Sequence, residues 1–315
     1  MISFFANIFG YLLNIMYELI KNYGLAIILF SILLKLVLLP LTIKQQKTLK
    51  KSQKVQEKMK EIQDKYKNNP EKMNQEIMDL YKKENLSPFS GCLSSIVQII
   101  ILFGMFYLVK SPLTYMKKMD SDTVSKYKEQ IVLEQGENSV SATYPEISII
   151  KYINNKIENK DEENIKEENN EENSDIEENE EKLNISEDLY INMNFLGLDL
   201  SSVPKENYQD LKVFIIPALY ILSSFISIKI TQKQTEKMTK KDEEDNKNEN
   251  ENEEPDMTAQ MNKSMVWMMP VLAVSVSLVA PLGLALYWLV NNILMIGERI
   301  IIDKFVMSKE EEENG

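Results

Sequence analysis

The sequence predicts an all-α polytopic membrane protein with five transmembrane helices, an interfacial N-terminal helix and a cytoplasmic helical hairpin. The first observation is that five stretches of 18 to 20 residues together hold only five of the 84 charged side chains. Such stretches match the length that a helix needs to cross a bilayer core of about 30 Å. The second observation is that the connections carry the remaining charge, so the net charge of −12 describes the loops. We place the spans at 23–43, 91–110, 211–230, 264–281 and 283–303.

The composition excludes several kinds of chemistry. The chain has no His, and Cys92 is its only Cys. A Ser–His or Cys–His nucleophile, an HExxH zinc site and an intramolecular disulfide are therefore excluded. The sequence also contains neither a GxxxxGK[ST] phosphate loop nor a GxGxxG turn. We expect no catalytic residues, no metal site and no cofactor, and we do not expect an enzyme.

Residues 1–22 predict an amphipathic helix that lies in the membrane interface. Polar side chains recur at spacings of four, three and four, opposite an apolar face, at Asn7, Tyr11, Asn14 and Glu18. A helix with such a stripe suits the boundary between water and lipid. A signal peptide is a poorer interpretation, because the segment lacks a basic start and a small-residue cleavage site. A sixth span is the remaining alternative.

The connection 44–90 sets the predicted orientation. It carries 12 Lys against 7 acidic residues, and five of the Lys lie within eleven residues of the first span. Basic loops next to the membrane stay in the cytoplasm. The N-terminus is then outside the cell and the C-terminus is in the cytoplasm.

The same connection predicts a helical hairpin. An apolar stripe at helical spacing runs from Val55 to Tyr66, the run 68–70 interrupts it, and a second stripe runs from Met73 to Tyr81. Two narrow stripes of this kind suit an antiparallel pair of helices with charged outer faces. A solvated charged linker that happens to be helical is the alternative.

The remaining connections alternate across the membrane. Residues 111–210 form the predicted extracytoplasmic loop, and residues 231–263 and 304–315 form a cytoplasmic loop and tail. Within the outer loop, residues 154–181 hold 13 acidic residues and 8 Asn, and residues 236–256 are similar in composition. Low hydrophobicity and dense like charge leave nothing to offset the entropy of ordering, so we expect both tracts to be disordered.

Lys35 is the most informative position. It lies in the first span, roughly 12 Å from the cytoplasmic end at about 1.5 Å per residue. A charge inside a span costs about 2.5–3.5 kcal/mol on insertion scales and usually faces protein or water. In a wet cavity, Lys35 would attract acidic residues of an entering segment. The alternative is snorkelling toward the membrane surface. The other four charges within the spans lie near span ends, at Lys212, Lys229, Glu298 and Arg299.

The other spans carry dispersed polar side chains, and we combine them with Lys35 into a predicted hydrophilic groove. Helix packing is the alternative at each polar position, because hydroxyl and amide groups in membrane helices commonly bond within or between helices. The predicted groove residues are Lys35, Ser94, Gln98, Ser223, Ser227, Trp288, Asn291 and Asn292. Prolines that would bend or end the helices, consistent with a cavity, are Pro40, Pro217, Pro270 and Pro281.

Four long runs resemble one known family. YGLAIILFSILLKLVLLPLTIKQQ, with Lys35 and Pro40, resembles the first core span of the YidC/Oxa/Alb membrane protein insertases. The run from KYKNNPEK to LFGMFYLV resembles the family's cytoplasmic hairpin and second core span. FLGLDLS followed by FIIPALYILSS resembles the start of its third span, and TAQMNKSMVWMMPVLAVSVSLVAPLGLALYWLVNN resembles its last two spans. The chain looks most like the compact five-span form of Gram-positive bacteria.

This resemblance implies an energy-independent insertase and membrane chaperone of the bacterial plasma membrane. It implies a hydrophilic groove that is open to the cytoplasm and lipid and closed to the outside. Lys35 occupies the position of the family's groove Arg, which transiently attracts acidic residues in the outside-bound tail of a client protein. The implied partners are nascent membrane proteins, membrane lipids, the Sec translocon and the ribosome, and no nucleic-acid recognition is expected.

The sequence departs from the family pattern in three places. Lys35 replaces the delocalised fork of Arg by a point charge, and the use of 35 Lys against one Arg in this chain explains the exchange. The second span reads CLSSIVQIII where the family has CLPLLIQMPI, so Ser94 and Ile100 stand where prolines would bend the helix. The third departure is the long acidic Asn/Glu insertion in the outer loop, about which the family pattern says nothing.

A small-solute transporter or channel that uses Lys35 as a selectivity charge is the alternative function. The sequence shows no inverted repeat and no paired broken helices, which argues against this alternative.

Overall fold

The computed structural model describes residues 2–84, 90–167, 186–243, 274–302 and 304. Helices dominate these residues, and the predicted all-α class is confirmed. The helices are α1 (Ile2–Ile20), α2 (Tyr23–Lys65), α3 (Pro70–Lys83), α4 (Ser90–Lys110), α5 (Pro112–Tyr115), α6 (Ser121–Gln135), α7 (Pro145–Glu167), α8 (Ile215–Glu243), α9 (274–279) and α10 (Leu282–Ile302). One antiparallel hairpin is formed by β1 (Asn194–Phe195) and β2 (Leu198–Asp199).

Four described helical segments are long and apolar enough to cross a membrane. They are Ser3–Ile20 in α1, Tyr23–Thr48 in α2, Leu211–Ile230, which consists of the turn before α8 and the first part of α8, and Leu282–Ile302, which is α10. The last three contain the spans predicted at 23–43 and 211–230 and residues 283–302 of the span predicted at 283–303. A polytopic membrane protein is therefore confirmed.

The other two predicted spans are described in part. The span predicted at 91–110 coincides with α4, whose described apolar run is Ile99–Lys110. Of the span predicted at 264–281, only 274–281 falls within the described residues, and α9 occupies most of it. The number of crossings stays a prediction.

α1 packs on α2 and α4 through one buried face and presents its polar stripe to the segment that follows α4. Lys118 donates to the Asn7 side chain at 2.9 Å, and Lys117 forms an ion pair with Glu18 at 2.9 Å. Because Lys117 and Lys118 are neighbours in sequence, both ends of the polar stripe lie near one connection at one end of the bundle. This geometry favours the interfacial interpretation of residues 1–22, although α1 also has the length and composition of a span.

α2 is one continuous helix, where the sequence predicts a span at 23–43 and a separate hairpin from residue 44. Pro40 lies inside α2 and does not end it. The loss of one backbone donor at Pro40 is tolerated within a helix that continues on both sides. The first span and the first arm of the hairpin therefore form a single rod.

The predicted helical hairpin is present and consists of the distal part of α2 and α3. Asn69 caps α3 by accepting a hydrogen bond from the Lys72 backbone, and Pro70 opens the helix, which is a favourable first position for proline. Val55 is buried in this part of the chain. Lys58 joins Glu84 at 2.6 Å and thereby ties α2 to the end of α3. Its cytoplasmic location stays a prediction.

The predicted outer loop is a folded unit rather than a loop. We call its described residues, 111–167 and 186–210, the cap. Its core is apolar, with Tyr127, Ile131, Ile150 and Ile153 buried. The buried carboxylate of Glu146 in α7 accepts hydrogen bonds from the backbone N–H of Thr114 (2.9 Å) and from its hydroxyl (2.7 Å).

Residues 154–167 of the tract for which the sequence predicts disorder form the end of α7. At the start of this stretch, apolar residues at helical spacing extend from Ile150 through Ile153 to Ile157 and pack on the cap core. Asn154 also exchanges two side-chain hydrogen bonds with the backbone of Ile191. Residues 168–181 lie outside the described residues.

The segment of the cap that contains β1 and β2 connects the helices at one end of the bundle, and we call this end the cap end. Asn192 accepts a hydrogen bond from the Tyr23 backbone at the start of α2. The backbone oxygens of Leu200 and Ser202 accept from Gly283 and Leu282 at the start of α10. The opposite end, toward which α2 extends with its many lysines, is the Lys-rich end.

α8 and α9 account for the remaining proline predictions. Pro217 lies in the first turn of α8, where proline is tolerated, and Pro281 lies between α9 and α10. Pro270 is outside the described residues. α8 continues to Glu243 and so includes residues 236–243 of the second tract for which the sequence predicts disorder. The rest of that tract is outside the described residues.

The close approach of α1 to α5 predicts a large effect of Gly10→Ala. A Cβ at Gly10 would collide with the backbone oxygen of Tyr115, which belongs to α5 and cannot move independently of it. We expect destabilisation by about 1–3 kcal/mol, as for other overpacked sites. Gly297→Ala is the matched control, because a Cβ at Gly297 meets nothing within 4 Å. Equal thermal unfolding midpoints of the two variants in detergent would contradict the packing of α1 on α5.

Glu146 predicts that the cap loses stability as the pH rises. Burial is the main cause that raises the pKa of Glu146 above its ordinary value of 4.5, and the hydrogen bonds from Thr114 oppose it. A raised pKa in the folded state means that the contribution to stability is present at low pH and is lost as the pH rises above 4.5. Hydrogen exchange of the cap, corrected for intrinsic rates, should be better protected at pH 5 than at pH 8. Glu146→Gln should abolish this difference, and an unchanged difference would refute the assignment.

Candidate functional site

Lys35 forms an ion pair with Glu298, and this pair joins α2 to α10 inside the predicted membrane region. Lys35 Nζ lies 3.2 Å from Glu298 Oε2. The Lys35 side chain is 21% exposed and that of Glu298 is 8% exposed. Lys35 is twelve residues from the start of α2, which is about 18 Å from the cap end. The side chain therefore points to α10 instead of lying along the lipid-facing surface.

The pair reduces the cost of two charges that would otherwise be isolated in a poorly solvated place. At 3.2 Å the attraction is about 5 kcal/mol for an effective dielectric constant of about 20. The loss of hydration of both groups opposes this attraction, so the net gain is smaller. Removal of either partner alone would leave the other charge buried and uncompensated.

Glu298 has one oxygen that is not engaged. Oε1 is buried and has no hydrogen-bond partner in the part of the chain that the structure describes. The contact with Lys35 uses Oε2 alone. Glu298 is therefore held by a single contact at its carboxylate, so a competing group has one contact to replace.

Packing around α2 loosens at the level of Lys35. On the cap side of this level, the residues that face the bundle are buried: Tyr23, Ala26, Ile27, Phe30 and Ser31. On the other side, the residues that continue the same face are only half-buried: Leu34, Lys35, Leu38 and Thr42.

α10 follows the same pattern. The residues from Leu282 to Tyr287 are all buried, whereas those from 294 to 299 are all half-buried. The ion pair thus lies where close packing from the cap end gives way to more open packing toward the Lys-rich end.

Asn292 and Ser223 lie together in the contact between α10 and α8. The Asn292 amide donates to the hydroxyls of Ser223 (2.9 Å) and Ser224 (3.2 Å), and all three side chains are buried. This arrangement is typical of the polar contacts that join membrane helices. This contact fits the helix-packing interpretation of Asn292 and Ser223, and their place in a groove stays a prediction. Ser224 was not among the predicted groove residues.

The remaining predicted groove residues are dispersed. Trp288 is half-buried against the ring of Tyr220, with 6.2 Å between ring centroids, and its Nε1 has no hydrogen-bond partner within the described residues. Asn291 and Ser227 are half-buried. Ser94 and Gln98 belong to α4, and their side chains are outside the described residues.

Glu298 is the member of the site that sequence reasoning missed. Counted along the chain, it lies near the end of the last span, so it was grouped with the terminal charges. The depths of the two residues along their helices could have indicated the pair, because α2 and α10 both start at the cap end. Glu298 is sixteen residues from the start of α10 and Lys35 twelve from the start of α2, so their depths differ by about 6 Å. Two long side chains of opposite charge can span that difference.

The arrangement is suited to reversible electrostatic binding. Lys35 offers a positive charge to a carboxylate, and Glu298 already demonstrates the geometry of such a contact. Within the described residues, no three Cys, Asp or Glu side chains come together as a metal site requires.

Comparisons with known proteins identify the family of this chain. The model of the family described as 60Kd inner membrane protein matches residues 15–310. Three similar proteins each carry the name membrane protein insertase YidC. The protein of Treponema denticola is 25% identical over 298 residues, which are 95% of this chain and 37% of the relative. That of Fusobacterium nucleatum is 40% identical over 102 residues (32% and 50%), and that of Clostridium perfringens is 42% identical over 87 residues (28% and 37%).

The chain spans half or less of the length of these three relatives. The family match nevertheless extends over nearly the whole of this chain. The chain therefore belongs to the 60Kd inner membrane protein family, the YidC/Oxa/Alb family of membrane protein insertases that its residues resemble.

Proposed function

We propose that this chain inserts membrane proteins into the bacterial plasma membrane and assists their folding there. In this proposal, short hydrophilic tails of client proteins cross the membrane along a positively charged groove, and the hydrophobic segments that follow enter the lipid. The observation that carries the proposal is the intramembrane Lys35, paired with a single buried acid where the packing of α2 and α10 opens. The names of the similar proteins support the same activity.

Lys35 acts by attracting an acidic residue of the client tail into the membrane. A carboxylate that meets Lys35 regains part of the stabilisation that it loses on leaving water. The half-buried faces of α2 and α10 on the Lys-rich side form the route to Lys35. The closely packed residues at the cap end, with the cap above them, close the far side of that route.

Burial of the client's apolar segment drives the reaction. Each CH2 group that leaves water contributes about 0.8 kcal/mol, so a segment of span length outweighs the transfer of a short polar tail. This source of free energy accounts for an insertase whose sequence has no nucleotide-binding loop.

The proposed orientation puts the N-terminus and the cap outside and the α2–α3 hairpin in the cytoplasm. The 12 Lys of residues 44–90 support it. Clients then reach the groove from the cytoplasmic side, where the open packing lies. The proposed partners are nascent membrane proteins and lipids, with the Sec translocon and the ribosome beside them.

Variants of Lys35 test the proposal, and their design must take the ion pair with Glu298 into account. Lys35→Ala alone would leave Glu298 as an uncompensated buried charge, so a loss of activity could reflect misfolding. The variant to use is Lys35→Ala combined with Glu298→Gln, which removes both charges. We expect insertion of a client with an acidic tail to fall roughly tenfold, the equivalent of about 1.4 kcal/mol of lost client binding. Lys35→Arg should retain insertion.

The measurement is protease protection of the client tail in vesicles that contain the full-length chain. Lys229→Ala is the matched control, because it removes an exposed lysine from another span. Normal insertion by the double variant would remove Lys35 from the mechanism. Passage of small solutes through the vesicles, with no protection of client tails by the unaltered chain, would support a transporter instead.

A further inference from the structure

We propose that Glu298 is a built-in competitor for the carboxylates that Lys35 binds, and that it thereby determines which clients are held and how fast they are released. This inference rests on the proposed function, because it requires that Lys35 receives acidic residues of clients. It assigns to Glu298 a specificity role that the ion pair with Lys35 makes possible.

Glu298 occupies the place at Lys35 that a carboxylate of the client would take. Its Oε2 lies 3.2 Å from Lys35 Nζ, the distance at which any carboxylate would bind an ammonium group. A client acid and Glu298 therefore compete for the same charge. As long as the pair is closed, the positive charge of Lys35 is neutralised within the chain.

The contact between Lys35 and Glu298 can be exchanged for a contact between Lys35 and another carboxylate. A Lys ammonium has three donors and can bind a second carboxylate before it releases the first. The contact with Glu298 uses one carboxylate oxygen, and the Lys35 side chain is still 21% exposed.

The surroundings of Glu298 determine what happens to its carboxylate after the exchange. Its side chain is 8% exposed, and its Oε1 has no hydrogen-bond partner among the residues that the structure describes. A displaced Glu298 would be a buried charge without a counter-ion, which is unfavourable. The return of Glu298 to Lys35 is therefore favoured, and this return expels the client acid.

Two consequences follow for client selection. Neutral tails do not compete with Glu298 and gain nothing from Lys35. Acidic tails are held only for as long as they outcompete Glu298, so binding is weakened and release is accelerated together. Glu298 thus prevents client proteins from binding Lys35 so tightly that they dissociate too slowly.

Glu298→Gln tests this inference, because it removes the competing charge and keeps nearly the same shape. The full-length chain is placed in nanodiscs of phosphatidylglycerol and phosphatidylethanolamine, with empty nanodiscs as the blank. The probes are two dye-labelled single-span peptides whose tails differ only by Asp or Asn. Fluorescence anisotropy gives the apparent Kd and the dissociation rate of each peptide.

If the pair is closed about nine-tenths of the time, Glu298→Gln should tighten binding of the Asp peptide about tenfold. Its dissociation should slow correspondingly, and the Asn peptide should be unaffected. Glu298→Asp keeps the charge and should behave like the unaltered chain. Glu134→Gln is the matched control, since it removes an ion pair with Lys156 in the cap.

The outcomes separate this inference from the proposed function. If the unaltered chain and Glu298→Gln bind the Asp peptide equally, and Lys35→Ala with Glu298→Gln binds it more weakly, Lys35 receives acids but Glu298 does not compete, and the inference is wrong. If none of these variants distinguishes Asp from Asn, the proposed role of Lys35 fails and the inference fails with it. Tighter binding of both peptides by Glu298→Gln would also overturn the inference, because it would indicate a general change in packing.

Discussion

The ion pair between Lys35 and Glu298 is the interaction on which the rest of the account depends. A lysine in the middle of an apolar helix is tolerated only if protein or water compensates its charge. Here the compensation comes from the last helix, so the first and last spans must lie side by side at this depth. The cap then fixes the same two helices at their starts, through Asn192 and Leu200. Two separate sets of contacts thus hold α2 against α10.

These two sets of contacts have different character. At the cap end, buried apolar side chains and backbone hydrogen bonds leave little room for change. Farther along, the helices meet through half-buried residues and one exchangeable ion pair. A site of this kind can open toward one side of the membrane while the other side stays closed. The polar contact of Asn292 with Ser223 joins α8 to α10.

The sequence predicts the helices and draws attention to Lys35, because both inferences depend on local patterns. A run of apolar residues with a single charge identifies a span and its unusual residue without knowledge of any neighbour. Glu298 and Ser224 depend on which helices touch, and that information is spread over the whole chain. The same limit applies to the end of α7, where acidic composition predicts disorder and Ile157 and Asn154 contact the cap. Likewise, Pro40 predicts a bend or an end of the helix, whereas α2 continues beyond it.

The central claim is that a client's acidic tail passes along α10 near Lys35, and site-specific photocrosslinking tests it most directly. A photoreactive residue at position 291 lies two turns from Glu298 on the same face of α10, and one at exposed Ile293 serves as the control. We predict that an arrested nascent client with one Asp in its tail crosslinks through that tail to position 291 and not to position 293. Exchange of this Asp for Asn should abolish the crosslink. Equal crosslinking at both positions, or a crosslink that is insensitive to the Asp, would contradict the account.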